Sequence, residues 1–150
     1  MNITMDFSDF GLQEFQHYDD DPFKGWLNLA VTNTGTEAWG DFHFQIFQVP
    51  GSGAVDNVDF IVNAPYQPIS GQTPLSWNLS QDGSTLDLFF YGDPVLPNEQ
   101  ATFSVYTDNT ADKVSFFGVQ VWPTPVPIPG AVWLLGSGLV SLAALKRRFS

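Results

Sequence analysis

A chain of 150 residues, 15% aromatic and only 14% charged, is long enough for one domain with a real core and leaves too little for a second once its C-terminal segment is set apart. Its charge is lopsided: Lys146, Arg147 and Arg148 are three of the five basic residues, so residues 1–145 carry two lysines against sixteen acids, a net of −14. Such a surface repels nucleic acid, which needs clustered Lys and Arg to displace its counterions, and the lack of cysteine excludes disulfides, thiolate zinc sites and thiol nucleophiles.

Residues 1–10, MNITMDFSDF, have no basic start, apolar run or small-residue cleavage site, so they do not read as a secretory signal. His17 follows in an acidic stretch with Asp19, Asp20 and Asp21. From about residue 25 to residue 122 the pattern is short alternating runs broken by turn residues. Leu27, Leu29 and Val31 alternate with Asn28 and Ala30, and the segment 33–36, NTGT, supplies a turn. Phe42, Phe44 and Ile46 alternate with His43 and Gln45 before Val49, Pro50 and Gly51 end the run. Further strands are predicted over 58–62, 75–79, 86–91, 101–107 and 114–122. In 101–107, Phe103 and Val105 face one way and Thr102, Ser104 and Tyr106 the other. The spacing predicts an all-β domain over residues 1–122, an antiparallel β-sandwich of about seven to nine strands.

Chemistry is sparse in this domain. The only histidines are His17 and His43, the second on the wetter face of a strand, and no Gly-x-Ser-x-Gly motif accompanies them, so a hydrolase is the third-ranked reading. The expectation is a non-enzymatic protein with no cofactor. Among the oxygen-rich loops, Asp108, Asn109 and Asp112 make the best calcium candidate, although local turn chemistry explains Asp and Asn there equally well. Trp26, Trp39, Trp77, Trp122, Tyr66 and Tyr91 can stack on sugar rings if exposed. Large rings dominate sandwich cores, so core packing is the reading for most of them; Trp39, between Ala38 and Gly40 beside a turn, is the one most suspected of exposure and the candidate sugar contact.

Composition changes after Trp122. Pro123, Pro125, Pro127 and Pro129 fix φ at every second residue and remove backbone donors, which predicts an extended spacer over 123–129 that cannot continue a sheet. Residues 130–145, GAVWLLGSGLVSLAAL, hold sixteen positions without a charge and are followed at once by Lys146, Arg147 and Arg148. Sixteen helical residues span roughly 24 Å against a hydrocarbon core of about 30 Å, a gap that snorkelling cations and local thinning cover. Residues 130–150 are thus expected to form a single transmembrane helix with a basic stop, anchored by Ala131, Val132, Trp133, Leu134, Leu135, Leu139, Val140 and Leu142. The basic end places Ser150 in the cytoplasm and the acidic domain on the export side of an inner membrane.

Val126, Pro127, Ile128, Pro129 and Gly130, the apolar run and the terminal basic cluster, in that order, resemble the PEP-CTERM sorting signal of Gram-negative bacteria. Ile128 stands where that family usually has Glu. The resemblance implies a substrate of exosortase, a multi-pass membrane enzyme, and an exported protein of the cell surface or extracellular matrix associated with exopolysaccharide or biofilm. A carbohydrate-binding module on the same scaffold, contacting exopolysaccharide, is the alternative reading.

Overall fold

Alternation of apolar and polar residues resolves into ten strands: β1 (Asn2–Phe7), β2 (Gln13–His17), β3 (Lys24–Asn33), β4 (Asp41–Phe47), β5 (Asp59–Ile61), β6 (Ile69–Ser70), β7 (Ser76–Leu79), β8 (Thr85–Phe89), β9 (Gln100–Asp108) and β10 (Phe117–Trp122). The computed structural model describes residues 1–8, 10–19 and 22–125. The expected sorting motif, transmembrane helix and basic stop lie outside the described residues, and among those residues no helix is long and apolar enough to cross a membrane.

One sheet has the order β1-β3-β9-β5, with β6 also paired to β9, and the other has the order β2-β10-β4-β8-β7. In β3 every second residue, from Gly25 to Asn33, is buried, while Trp26, Asn28, Ala30 and Thr32 keep partial exposure. β9 lies antiparallel against it and sends Ala101, Phe103 and Val105 to the same side as Leu27, Leu29 and Val31. From the second sheet Phe42, Phe44, Ile46, Leu86, Leu88, Val119 and Val121 join them in one core. A single interior is shared by two sheets, as the alternation requires.

Rings bridge the layers. Phe42 of β4 stacks on Phe103 of β9, with centroids 4.8 Å apart and planes 12° from parallel. Trp39 lies 5.6 Å from Phe42, and Phe90 lies 5.5 Å from Phe103. Each buried ring removes a large apolar area from water and adds the preferred offset or edge geometry.

Three strands exceed the sequence expectation, and the total passes the seven to nine anticipated. β1 and β2 belong to the N-terminal segment, whose inward residues Ile3, Met5, Phe7 and Phe15 alternate with amides and acids and gain their order by pairing at the edges of the two sheets. β6 is only two residues long, too short to give a period. The expectation of a purely antiparallel sandwich needs one correction: β1 pairs parallel to β3. After β1 the chain crosses to the other sheet, forms β2 there, and returns to β3, the kind of crossover a parallel neighbour needs. The boundaries also tighten, the last predicted strand starting at Phe117 rather than residue 114.

Buried asparagines close two turns. Asn33 donates to the carbonyls of Glu37 and Val95 and accepts from the Gly35 amide, which makes the predicted turn at 33–36 a fixed corner. Asn109 donates to the Val114 carbonyl and accepts from the Val114 amide, closing the loop before β10. At Gly118 a Cβ would sit 2.5 Å from the Phe47 ring, so only glycine lets that ring lie flat across β10.

Phe42→Ala should therefore lower unfolding free energy by about 3–5 kcal/mol in urea titrations. A loss below about 1 kcal/mol would mean that the sheets do not depend on this ring pair.

Candidate functional site

The outer face of the second sheet carries the densest polar cluster among the described residues, and the register explains its assembly. Asp41 and His43 point outward from β4, Asp87 lies opposite His43 on β8, and Trp122 lies opposite it on β10. The His43 ring stacks on Trp122 at 5.2 Å with planes 22° apart, leaving its side chain only 12% exposed. His43 Nδ1 is 2.7 Å from Asp87 Oδ1, and Nε2 is 3.3 Å from Asp41 Oδ1, at ion-pair distance but off the hydrogen-bond direction. His43 does occupy the outer face expected of it, under a tryptophan rather than in open water.

Asp41 is buried and carries several bonds at once. Its Oδ1 accepts from the Thr124 amide at 2.8 Å; its Oδ2 accepts from the Thr124 hydroxyl at 2.5 Å and from the Tyr91 hydroxyl at 3.0 Å. Burial alone would push the Asp41 carboxyl up, but the interactions with His43 and Thr124 together outweigh it and hold the group below the usual carboxylate range. Burial would likewise push His43 down, yet Asp41 and Asp87 together hold it above the ordinary imidazole value. The two carboxylates on either side of His43 thus favour its charged form over the neutral one.

Beyond Thr124, Pro125 forms a bridge with Trp39, whose amide and carbonyl also pair with Val95. The first residues of the expected spacer add no strand, since β10 ends at Trp122, but this isolated bridge keeps them against the domain. Proline lacks a donor, but its carbonyl can still accept, and Thr124, between two prolines, turns its amide to the Asp41 side chain.

Trp39, the candidate sugar contact, is 1% exposed and belongs to the core instead. Its bridges to Val95 and Pro125 hold the backbone in line with β4, and the ring drops onto Phe42, Phe90 and Phe103. Trp77 also faces inward and packs against the core. Tyr91, 53% exposed, and Trp122 stand on the outer face of the second sheet. Trp26 and Tyr66 belong to the outer face of the first sheet, grouped around Tyr106 at 5.3 and 4.0 Å.

Oxygens of the calcium candidate are taken up in hydrogen bonds within the loop and to the loop of Asn57. Asp108 Oδ1 accepts from the Thr110 amide and hydroxyl, both oxygens of Asp112 accept from Asn57, and Asn109 is the loop clasp already described. Among the described residues no group of three or more His, Asp or Glu is arranged to hold a metal ion. Burial, with repulsion from Asp108, Asp82 and Asp112, pushes the Asp59 carboxyl up, so these acids repel one another across neighbouring loops. His17, 1% exposed, is enclosed with Asp19 at 2.8 Å and Thr107 at 3.2 Å.

No family model matches the chain, and no curated protein matches it. The residues missed from sequence are Asp41 and Thr124. Their one legible signal is Thr124 itself, the one polar side chain in the run 123–129, where alternate residues are proline.

Proposed function

We propose that this is a non-enzymatic exported protein of the cell surface or matrix, held at the inner membrane by its C-terminal segment until an exosortase-type enzyme processes it. The observation that carries the reading is the order of three unlike elements after the last strand: alternating prolines, sixteen uncharged residues, three adjacent cations. An acidic β-sandwich ending at that point, with its chain exit clamped by Asp41, is compatible with a cargo domain that must stay folded beside a membrane. Deleting residues 127–148 should move the protein from the membrane fraction to the soluble fraction or the medium on cell fractionation; unchanged membrane retention would overturn the reading.

A carbohydrate-binding role on the same scaffold is favoured by one specific arrangement. On the outer face of the first sheet a trough of about 330 Å³ is lined by Asn2, Thr4, Asn28, Thr102 and Ser104, and Trp26 stands two residues along β3 from Asn28. Asn28 donates to Asn2 and accepts from Ser104, which leaves amide and hydroxyl capacity unused in a row without a charged side chain. Amides and hydroxyls beside an indole suit a neutral glycan, and the acidic remainder of the domain disfavours an anionic one. Affinity electrophoresis of the full chain in gels containing laminarin or hydroxyethylcellulose should show retardation that Trp26→Ala weakens about tenfold, equivalent to about 1.4 kcal/mol. Equal mobility with and without both glycans would remove this reading.

A further inference from the structure

The clamp at the chain exit has a property that neither a cargo domain nor a sugar site requires. Asp41 is buried and holds Thr124 by two bonds, yet the charge that neutralises it comes from a histidine. We propose that Asp41 and His43 form a pH-sensitive latch that holds residues 123–125 against the second sheet and releases them as His43 loses its proton.

The latch is built from groups on four sides. β4 supplies Asp41 and His43, β8 supplies Asp87, and the turn after β8 supplies the Tyr91 hydroxyl. β10 supplies Trp122, stacked on the imidazole, and the uncharged Gln120, hydrogen-bonded to Gln45. Asn78 of β7 lies opposite Asp87, and Glu14 of β2 lies opposite Gln120, one strand further from His43. Among the described residues no lysine or arginine lines this face, so the imidazolium is the cation between Asp41 and Asp87.

The direction of the pH effect follows from the sign of each shift. Asp41 is held low, so its contribution is present above the ordinary carboxylate value of about 4 and is lost as pH falls through its lower folded value. His43 is held high, so its contribution is complete below about 6.5 and is lost as pH rises through its higher folded value. The latch is therefore tightest between roughly pH 4 and 6.5 and loosens on the alkaline side. Deprotonation leaves two carboxylates facing a neutral ring, with Asp41 buried; hydrating Asp41 by letting Thr124 go relieves that cost. Release frees three residues, about 10 Å of extra reach at roughly 3.3–3.6 Å each. As control of the tether between domain and membrane this rests on the function proposed above; as a latch it stands on the described residues alone.

Thr124 is a clean reporter, because its neighbours Pro123 and Pro125 have no amide proton. In the ¹⁵N-labelled full chain in detergent micelles, the Thr124 amide should be protected from hydrogen exchange at about pH 6. Its protection factor should fall about tenfold per unit of His43 pKa difference between latched and released states, with the same midpoint as the His43 ring signals. His43→Gln should abolish that pH dependence, and Asp87→Asn, which leaves the Thr124 bonds in place, should move the midpoint down. An unprotected Thr124 amide at every pH, or protection that ignores the His43 titration in a folded wild-type chain, would overturn the latch. Membrane fractionation is unaffected by either result, so failure of the latch and failure of the tether are distinguishable.

Discussion

Everything in this domain hangs on the ring contact between its two layers, Phe42 of β4 against Phe103 of β9. Phe42 also touches Phe7, Trp39 and Phe44, and Phe103 also touches Trp39 and Phe90, so the N-terminal edge strand, the approach to β4 and the end of β8 all converge on one pair. Close-packed rings of this size leave few alternative arrangements, because a ring displaced by even a methylene's width loses contacts on both faces. The consequence reaches the surface. With Phe42 fixed inward, the strand period sends Asp41 and His43 to the outer side, where β8 and β10 present Asp87 and Trp122.

That period is also why the central strands were legible in the sequence. Leu27, Leu29 and Val31, or Phe42, Phe44 and Ile46, alternate so regularly that burial on one face is their only economical arrangement. β1 carries the same alternation, Ile3, Met5 and Phe7 between Asn2, Thr4 and Asp6, but periodicity names no partner, so its parallel pairing with β3 was not legible. Trp39 shows a different limit. Its local neighbours, Ala38 and Gly40, read as a turn, and only the distant partners Val95 and Pro125 put it in line with β4. The candidate site fails to show in sequence for the same reason: Asp41 and Thr124 are 83 positions apart, and nothing local says that a carboxylate will receive an amide from a proline-flanked threonine.

Two features of the chain support the proposed function. The acidic sandwich presents a neutral amide and hydroxyl trough on one outer face and a carboxylate-held histidine on the other. The segment that follows β10 alternates proline with other residues, then runs sixteen positions without a charge into Lys146, Arg147 and Arg148, the order on which the proposed anchor rests. They meet at Thr124, where the spacer begins its course bonded to the domain rather than hanging from it. Under the proposed latch, a tether that starts on this clamp would couple the reach of the domain to the pH around it.

The central claim is that this domain stands on the export side of a membrane with its C-terminus on the other. The chain has no cysteine, so single cysteines can be placed without background. In spheroplasts of a host lacking the sorting enzyme, a membrane-impermeant maleimide should label Ser115→Cys, at an exposed loop position, and should label Ser150→Cys only after the membrane is opened. Labelling of Ser150→Cys in intact spheroplasts, with Ser115→Cys protected until lysis, would contradict the account.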